Sequence, residues 1–312
     1  HIPGEPEAAA LGRPARSGES AVVLSATDRV LDHACTILAA LRLGLSLDQI
    51  QTEGWNIPLR NLQALLFTAG LTDGSGIPLP EPVRKFLEAP RGEAIVQLAS
   101  SWIKSTSYNE LRLLSGLTFE GEWVNDPLSA RTRLIEHLTR LPQDTWWNLD
   151  SFIEGLRLKD PDFQRPAGDY DSWFIRRSSS GEYLSGFSSW DEVDGALARS
   201  LITGPLHWLG YYDLAAPALG MPVSAFRPSS WADNLRLEIA PNGIEAETTS
   251  VTAYPDGRLD LPRLTQRALR YQLARFTSWL GEDEHAYHYR VTPAALEHAR
   301  QQGLRTNQLV NL

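Results

Sequence analysis

The sequence predicts an α+β protein, mostly helical, with one or more winged helix-turn-helix modules ahead of a small α/β domain. Three observations lead there. Apolar residues recur at helical spacing between capping residues and glycine stops from Thr27 to Gly70. A glycine-rich hairpin pattern follows directly, over residues 71–79. The last sixty residues or so alternate strand and helix patterns punctuated by Gly and Pro.

Residues 1–20 are rich in Pro, Gly, Ala and Glu and read as a flexible lead. Residues 21–105 read as a winged helix. Thr27 or Asp28 caps a first helix that buries Val30, Leu31, Ala34, Ile37, Leu38 and Leu41 and stops at Gly44. Ser46 caps a short second helix over 47–52, ended by Gly54. Pro58 opens a third helix over 59–69, with Leu62, Leu65 and Leu66 inward and Gly70 as its stop. The hairpin over 71–79 is the wing, with Gly74-Ser-Gly76 as its turn, and a helix over 82–89 follows.

Residues 106–225 are expected to be a helical and hairpin region. Asp126-Pro127 starts one helix and Asn148 or Asp150 the next. Residues 171–177 and 182–187 alternate like hairpin strands, which makes a second winged helix one reading of this region. A further helix opens at Trp190 and ends near Gly204-Pro205, and residues 206–214 are apolar and aromatic enough to be buried. Residues 226–312 form the last domain: strands over 235–239, 247–253 and 286–291, a long helix over 262–280, then a helix capped by Thr292 and stopped by Gly303.

Bulk properties narrow the function classes. At 312 residues, two or three domains are expected. The formal charge of −9 argues against a nucleic-acid footprint over the whole molecule, but a local basic face is compatible with it. Lys85, Lys104 and Lys159 are the only lysines, so nearly all of the 29 cations are arginine. The single cysteine, Cys35, forms no intrachain disulfide and no cysteine metal cluster, which points to a reducing, cytoplasmic setting. No apolar run reaches the roughly 18–20 residues of a membrane span, and no secretory pattern opens the chain.

Catalytic signatures are missing. None of the three lysines lies in a phosphate-cradling P-loop, so the chain carries no helicase motor, and no Gly-x-Ser-x-Gly elbow occurs. His285 and His288 lie three apart beside Glu282, Asp283 and Glu284, but on a strand that spacing separates the rings, so an acidic turn is expected rather than a metal site. Asp160/Asp162 and Asp169/Asp171 read as turn and capping residues more than as an Mg²⁺ or acid–base pair. Cys35 reads as a small buried residue and most of the ten tryptophans as core. No cofactor and no metal are expected.

Two surfaces remain as candidates for contact with nucleic acid or a partner. Residues 261–281 contain no acid, and Arg263, Arg267 and Arg270 follow i, i+4, i+7 spacing, with Arg275 beyond them. Such a stripe on a long helix meets phosphate or an acidic partner, or else is a solvated face balanced by Glu282–Glu284. On the third helix of the winged helix, Arg60, Asn61, Gln63 and Thr68 are the outward candidates; Asn and Gln can read adenine. One arginine beside Glu53 and Asp73 is thin support for DNA, and winged helices also dock proteins.

The order of elements at the C-terminus carries a resemblance. Residues 253–262 (AYPDGRLDLP), the arginine-rich helix, 287–303 (YHYRVTPAALEHARQQG) and 304–310 (LRTNQLV) look like the helicase-associated domain shared with the N-terminal region of the XPB/Ssl2 helicases. Bacterial proteins also carry this domain without a motor. Residues 162–166 through 204–210 look like a recurring element of uncharacterised bacterial proteins with the same C-terminal domain. Together the resemblances cover about half the chain. They imply a non-catalytic, DNA-associated accessory protein, with double-stranded DNA as partner. The alternative is a protein–protein interaction scaffold that docks a helicase or nuclease.

Overall fold

The computed structural model describes residues 10–311 apart from Gln51 and Glu53. Residues 1–9 of the expected lead, one residue of the expected second helix and the expected acidic neighbour Glu53 therefore lie outside the described residues. The fold is α+β with helix predominant. Its elements are β1 (Val22–Leu24), α1 (Arg29–Arg42), α2 (Leu59–Thr68), α3 (Pro80–Glu88), α4 (Arg91–Ile103), β2 (Leu117–Glu120), α5 (Pro127–Thr139), β3 (Trp147–Asn148), α6 (Leu149–Lys159), β4 (Phe174–Arg177), α7 (Ala196–Thr203), α8 (Pro205–Trp208), β5 (Tyr212–Ala216), β6 (Ala225–Pro228), α9 (Ala232–Arg236), β7 (Thr252–Ala253), β8 (Arg258–Pro262), α10 (Arg267–Leu273), β9 (Ser278–Glu282), β10 (Ala286–Arg290), α11 (Pro293–Gln301) and α12 (Thr306–Val310).

The chain divides into two compact units that do not follow chain order. One comprises residues up to Thr27 and Ala99–Leu237; the other joins Asp28–Leu98 to Glu238–Leu312. The expected winged-helix segment and the expected C-terminal domain thus share one body. Among the described residues, no helix is long and apolar enough to cross a membrane.

In the first unit, an antiparallel sheet of order β1-β5-β6-β3 is flanked by α6. Phe152, Trp190 and Phe226 fill its interior. Residues 10–20 are not a free lead. Leu11 is buried, Pro14 bridges Trp147, and Gly12 sits with φ +80° where a Cβ would lie 2.7 Å from the Phe152 backbone nitrogen. The sequence hides this because a Pro/Gly-rich strip can pack as edge backbone as readily as it can swing free.

Asp126 and Asn148 cap as expected, whereas Asp28 and Ser46 precede their helices without a side-chain cap bond, the Asp28 carboxylate being taken by Arg91. Asp126 accepts from the Ser129 N–H at 2.9 Å and Asn148 from that of Ser151 at 2.8 Å. The hairpin after Tyr170 forms through the Arg176–Tyr183 bridge, and β4 also pairs antiparallel with β2. Residues 206–214 are buried, as expected.

In the second unit, α1 buries the expected apolar stripe apart from Leu41, which is only half-buried. The segment after Ser46 is one 3-10 turn, Leu47–Gln49. Helix α2 buries Leu62, Leu65 and Leu66, and a single Thr72–Pro78 bridge closes the hairpin behind it. Asp73 stabilises that turn by accepting from the N–H groups of Ser75 (2.8 Å) and Ile77 (2.9 Å).

The last 75 residues depart most from expectation. The strand expected over 235–239 is instead the end of α9 and a turn, and only Thr252–Ala253 of the segment 247–253 pairs as a strand. The helix expected over 262–280 is only Arg267–Leu273, extended by a 3-10 turn at Ala274–Phe276. Thr277 turns the chain into β9, an edge strand of the antiparallel sheet β7-β8-β10-β9. Helix α10 packs against α1 and α3. Thr292 caps α11 by accepting from the Ala295 N–H at 3.1 Å, and Gly303 adopts φ +78° at its end.

Candidate functional site

The arginine stripe is turned into the protein. Arg267 and Arg270 are 0% and 1% exposed, and Arg263 is half-buried. Helix α10 packs against α1 and α3, which turns Arg267 and Arg270 inward, whereas Arg263 lies just after β8. Arg267 Nε donates to Glu247 at 2.6 Å and Nη2 to the Ala89 carbonyl at 2.6 Å. Arg270 donates to Thr36 Oγ1 at 3.0 Å and to the Asp32 carbonyl, with its guanidinium 3.8 Å from the Tyr287 ring centroid. Such desolvated cation–π contacts are worth about 2 kcal/mol or more.

A second arginine, not singled out in the sequence, completes the cluster. Arg91, at the start of α4, forks onto Asp32 at 2.8 and 3.1 Å and reaches Asp28 at 2.6 Å. Arg263 adds a 3.2 Å contact to Asp32. Burial would raise the Asp32 carboxyl, but Arg91, then Arg270 and Arg263, hold it below its ordinary value. The cluster joins segments more than 200 residues apart in sequence, so its signal is invisible to local periodicity. An acid-free helix was the one available clue, because its counter-charges had to come from elsewhere.

Arg275 is set apart from this cluster. It is half-buried and, among the described residues, makes no ion pair; burial and the neighbouring Arg42 both lower its pKa. Cys35 is fully buried, donates weakly to the Arg267 carbonyl at 3.4 Å, and has its thiol pushed up by burial, so it is an inert core residue.

The candidates on α2 divide. Asn61 is buried, whereas Arg60 and Gln63 are exposed and Thr68 half-buried. The outward stripe continues to Phe67, exposed by 47%, and Ile77 of the hairpin is exposed by 61%. The hairpin beside this face contributes Asp73. The face is thus apolar with few charges, unlike a surface built to approach phosphates.

The other titratable groups serve structure. His288 sits on β10 between Asp260 (2.8 Å) and Asp283 (3.0 Å), whose carboxylates raise its pKa, while His285 lies in the exposed turn. Hydrogen bonds from the His285 backbone, then His288 and the Ala286 backbone, hold Asp283 down to about 2. His33 stacks on Trp55 at 4.0 Å; burial pushes it down to about 3, and at 3.9 Å from Glu282 it is neutral and forms no ion pair. Asp160 pairs with Arg133 and His137, Asp162 accepts from the Tyr170 hydroxyl, and Asp169 caps the Ser172 N–H at 3.0 Å. No group of three or more metal-ligating side chains occurs among the described residues.

Comparison with protein-family models and with characterised protein sequences finds no match to this chain.

Proposed function

We propose that this chain is a non-catalytic accessory protein of the bacterial cytoplasm whose second unit docks a protein partner, a helicase or nuclease, through the α2 face and its hairpin. One observation carries this reading: the outward stripe of α2 is Gln63 and the exposed Phe67 against the turn from Thr72 to Gly76, while Arg267 and Arg270 are held in buried intramolecular contacts. Large exposed apolar side chains flanked by a few polar groups suit protein contact. The helix, helix, hairpin order of this unit supports a winged-helix reading, and the β8–α10–β9–β10–α11 order supports likeness to the XPB/Ssl2 N-terminal type.

The second reading, weak binding to double-stranded DNA, draws on exposed Arg60 and Gln63. Duplex binding measured from low to physiological salt separates the two. Docking predicts no DNA affinity that falls when Arg60→Gln and Gln63→Ala are combined, and loss of partner cross-linking at α2 in Phe67→Glu. Salt-steep duplex binding that the double variant abolishes and Phe67→Glu spares would replace docking by the DNA reading.

A further inference from the structure

A cavity in the second unit has no role in docking or in the buried charge cluster. It holds about 330 Å³ between α1, the 3-10 turn after α10, β9, β10 and α11. That is within the range of small-molecule sites. Its walls are largely apolar: Leu43, Leu45 and Ile50 on one side, Ala294 and Ala295 on the other. None of its described lining residues is a carboxylate, and one is Arg275.

Two lining residues carry buried donor nitrogens without a hydrogen-bond partner, Arg275 Nε and Trp279 Nε1. Both are shut off from the cavity by their own burial, so the donors a guest can reach are the terminal nitrogens of the half-buried Arg275, which have no partner among the described residues. Arg42 lies close enough to Arg275 to weigh against its charge, and no carboxylate lines the cavity among its described residues. An uncharged apolar guest satisfies the walls but leaves the guanidinium unpaired. A small hydrophilic anion pairs the guanidinium but leaves the walls wet.

We propose that this cavity is a binding site for a small amphipathic carboxylate, its acid group paired with the terminal guanidinium nitrogens of Arg275 and its apolar body against Leu43, Leu45 and Ile50. The fork of a guanidinium suits a carboxylate held by two parallel hydrogen bonds.

Octanoate is the probe, with 1-octanol and acetate as controls, measured on the full chain by titration calorimetry and by the NMR shift of the Trp279 indole N–H. Octanoate is expected to bind and to move that resonance, with 1-octanol and acetate at least about tenfold weaker, the worth of one charge-assisted hydrogen bond. Arg275→Gln should weaken octanoate by a similar factor and leave 1-octanol unchanged. If Arg275→Gln does not fold, the octanoate, octanol and acetate series on the native protein decides alone. No octanoate binding at millimolar concentration, equal binding of octanol, or binding that leaves the Trp279 resonance in place overturns the proposal.

Discussion

Asp32→Asn is the sharpest probe of the buried charge cluster. Asp32 is 1% exposed and accepts from Arg91 at 2.8 and 3.1 Å and from Arg263 at 3.2 Å. Asparagine keeps the volume but removes the charge and sets an amide N–H₂ among guanidinium donors. Arg91, Arg263 and Arg270 then share the remaining carboxylates of Asp28, Glu245 and Glu247. Removing one partner of a buried pair costs about 3–5 kcal/mol. With a urea slope of about 2 kcal/mol/M, the midpoint of the second unit should fall by roughly 1.5–2.5 M. Urea unfolding followed by far-UV circular dichroism measures this. The acid limb gives an independent check. The Asp32 pKa is depressed in the folded state, so its contribution is complete above the ordinary value of 3.8 and is lost as pH falls through the lower folded value. Asp32→Asn should flatten that limb. A loss below about 1 kcal/mol, as for a surface pair, would refute the reasoning.

Three further outcomes follow from the same geometry. His288 is raised above 6.5 by Asp260 and Asp283, so the stability it lends is complete below pH 6.5 and fades as pH rises through the folded value; His288→Gln should remove that slope from melting temperature against pH. Cys35 should stay unreactive toward a thiol reagent in native protein and react fully in denaturant; rapid native labelling would contradict its burial. Gly12→Ala must place a Cβ 2.7 Å from the Phe152 backbone at φ +80°, and should lower the stability of the first unit by about 1–3 kcal/mol, read by urea titration; an unchanged midpoint would mean residues 10–20 do not pack as described.

Local chemistry made part of the fold legible. The stops and caps at Gly44, Asp126, Asn148, Thr292 and Gly303 act within a turn of themselves, and the sequence carries them in full. The helix over 262–280 was misjudged because arginines at i, i+4 and i+7 mark one face without saying which way it points, and arginine is mostly an exposed residue. The partners that reverse this, Asp28, Asp32 and the Ala89 carbonyl, come from the far end of the chain. Ser278–Leu280 read as helix locally and become strand because β10 pairs with this segment, a tertiary override of a short pattern. Residues 235–239 failed the opposite way: five alternating residues are too few to separate a strand from a helix end. The cation of the cavity was visible, since Arg275 stood among the candidates.

The split ancestry of the second unit sets a timetable for the nascent polypeptide. Its opening portion, Asp28–Leu98, leaves the ribosome carrying Asp28, Asp32 and Arg91, but Arg263, Arg267 and Arg270 arrive only after the whole of Ala99–Leu237 has been made. At elongation speeds of about 5–20 residues per second, that interval lasts roughly seven to thirty seconds. Throughout it, the α1 surface destined for α10 stands bare, a window in which a chaperone, or a misplaced neighbour, can reach it first.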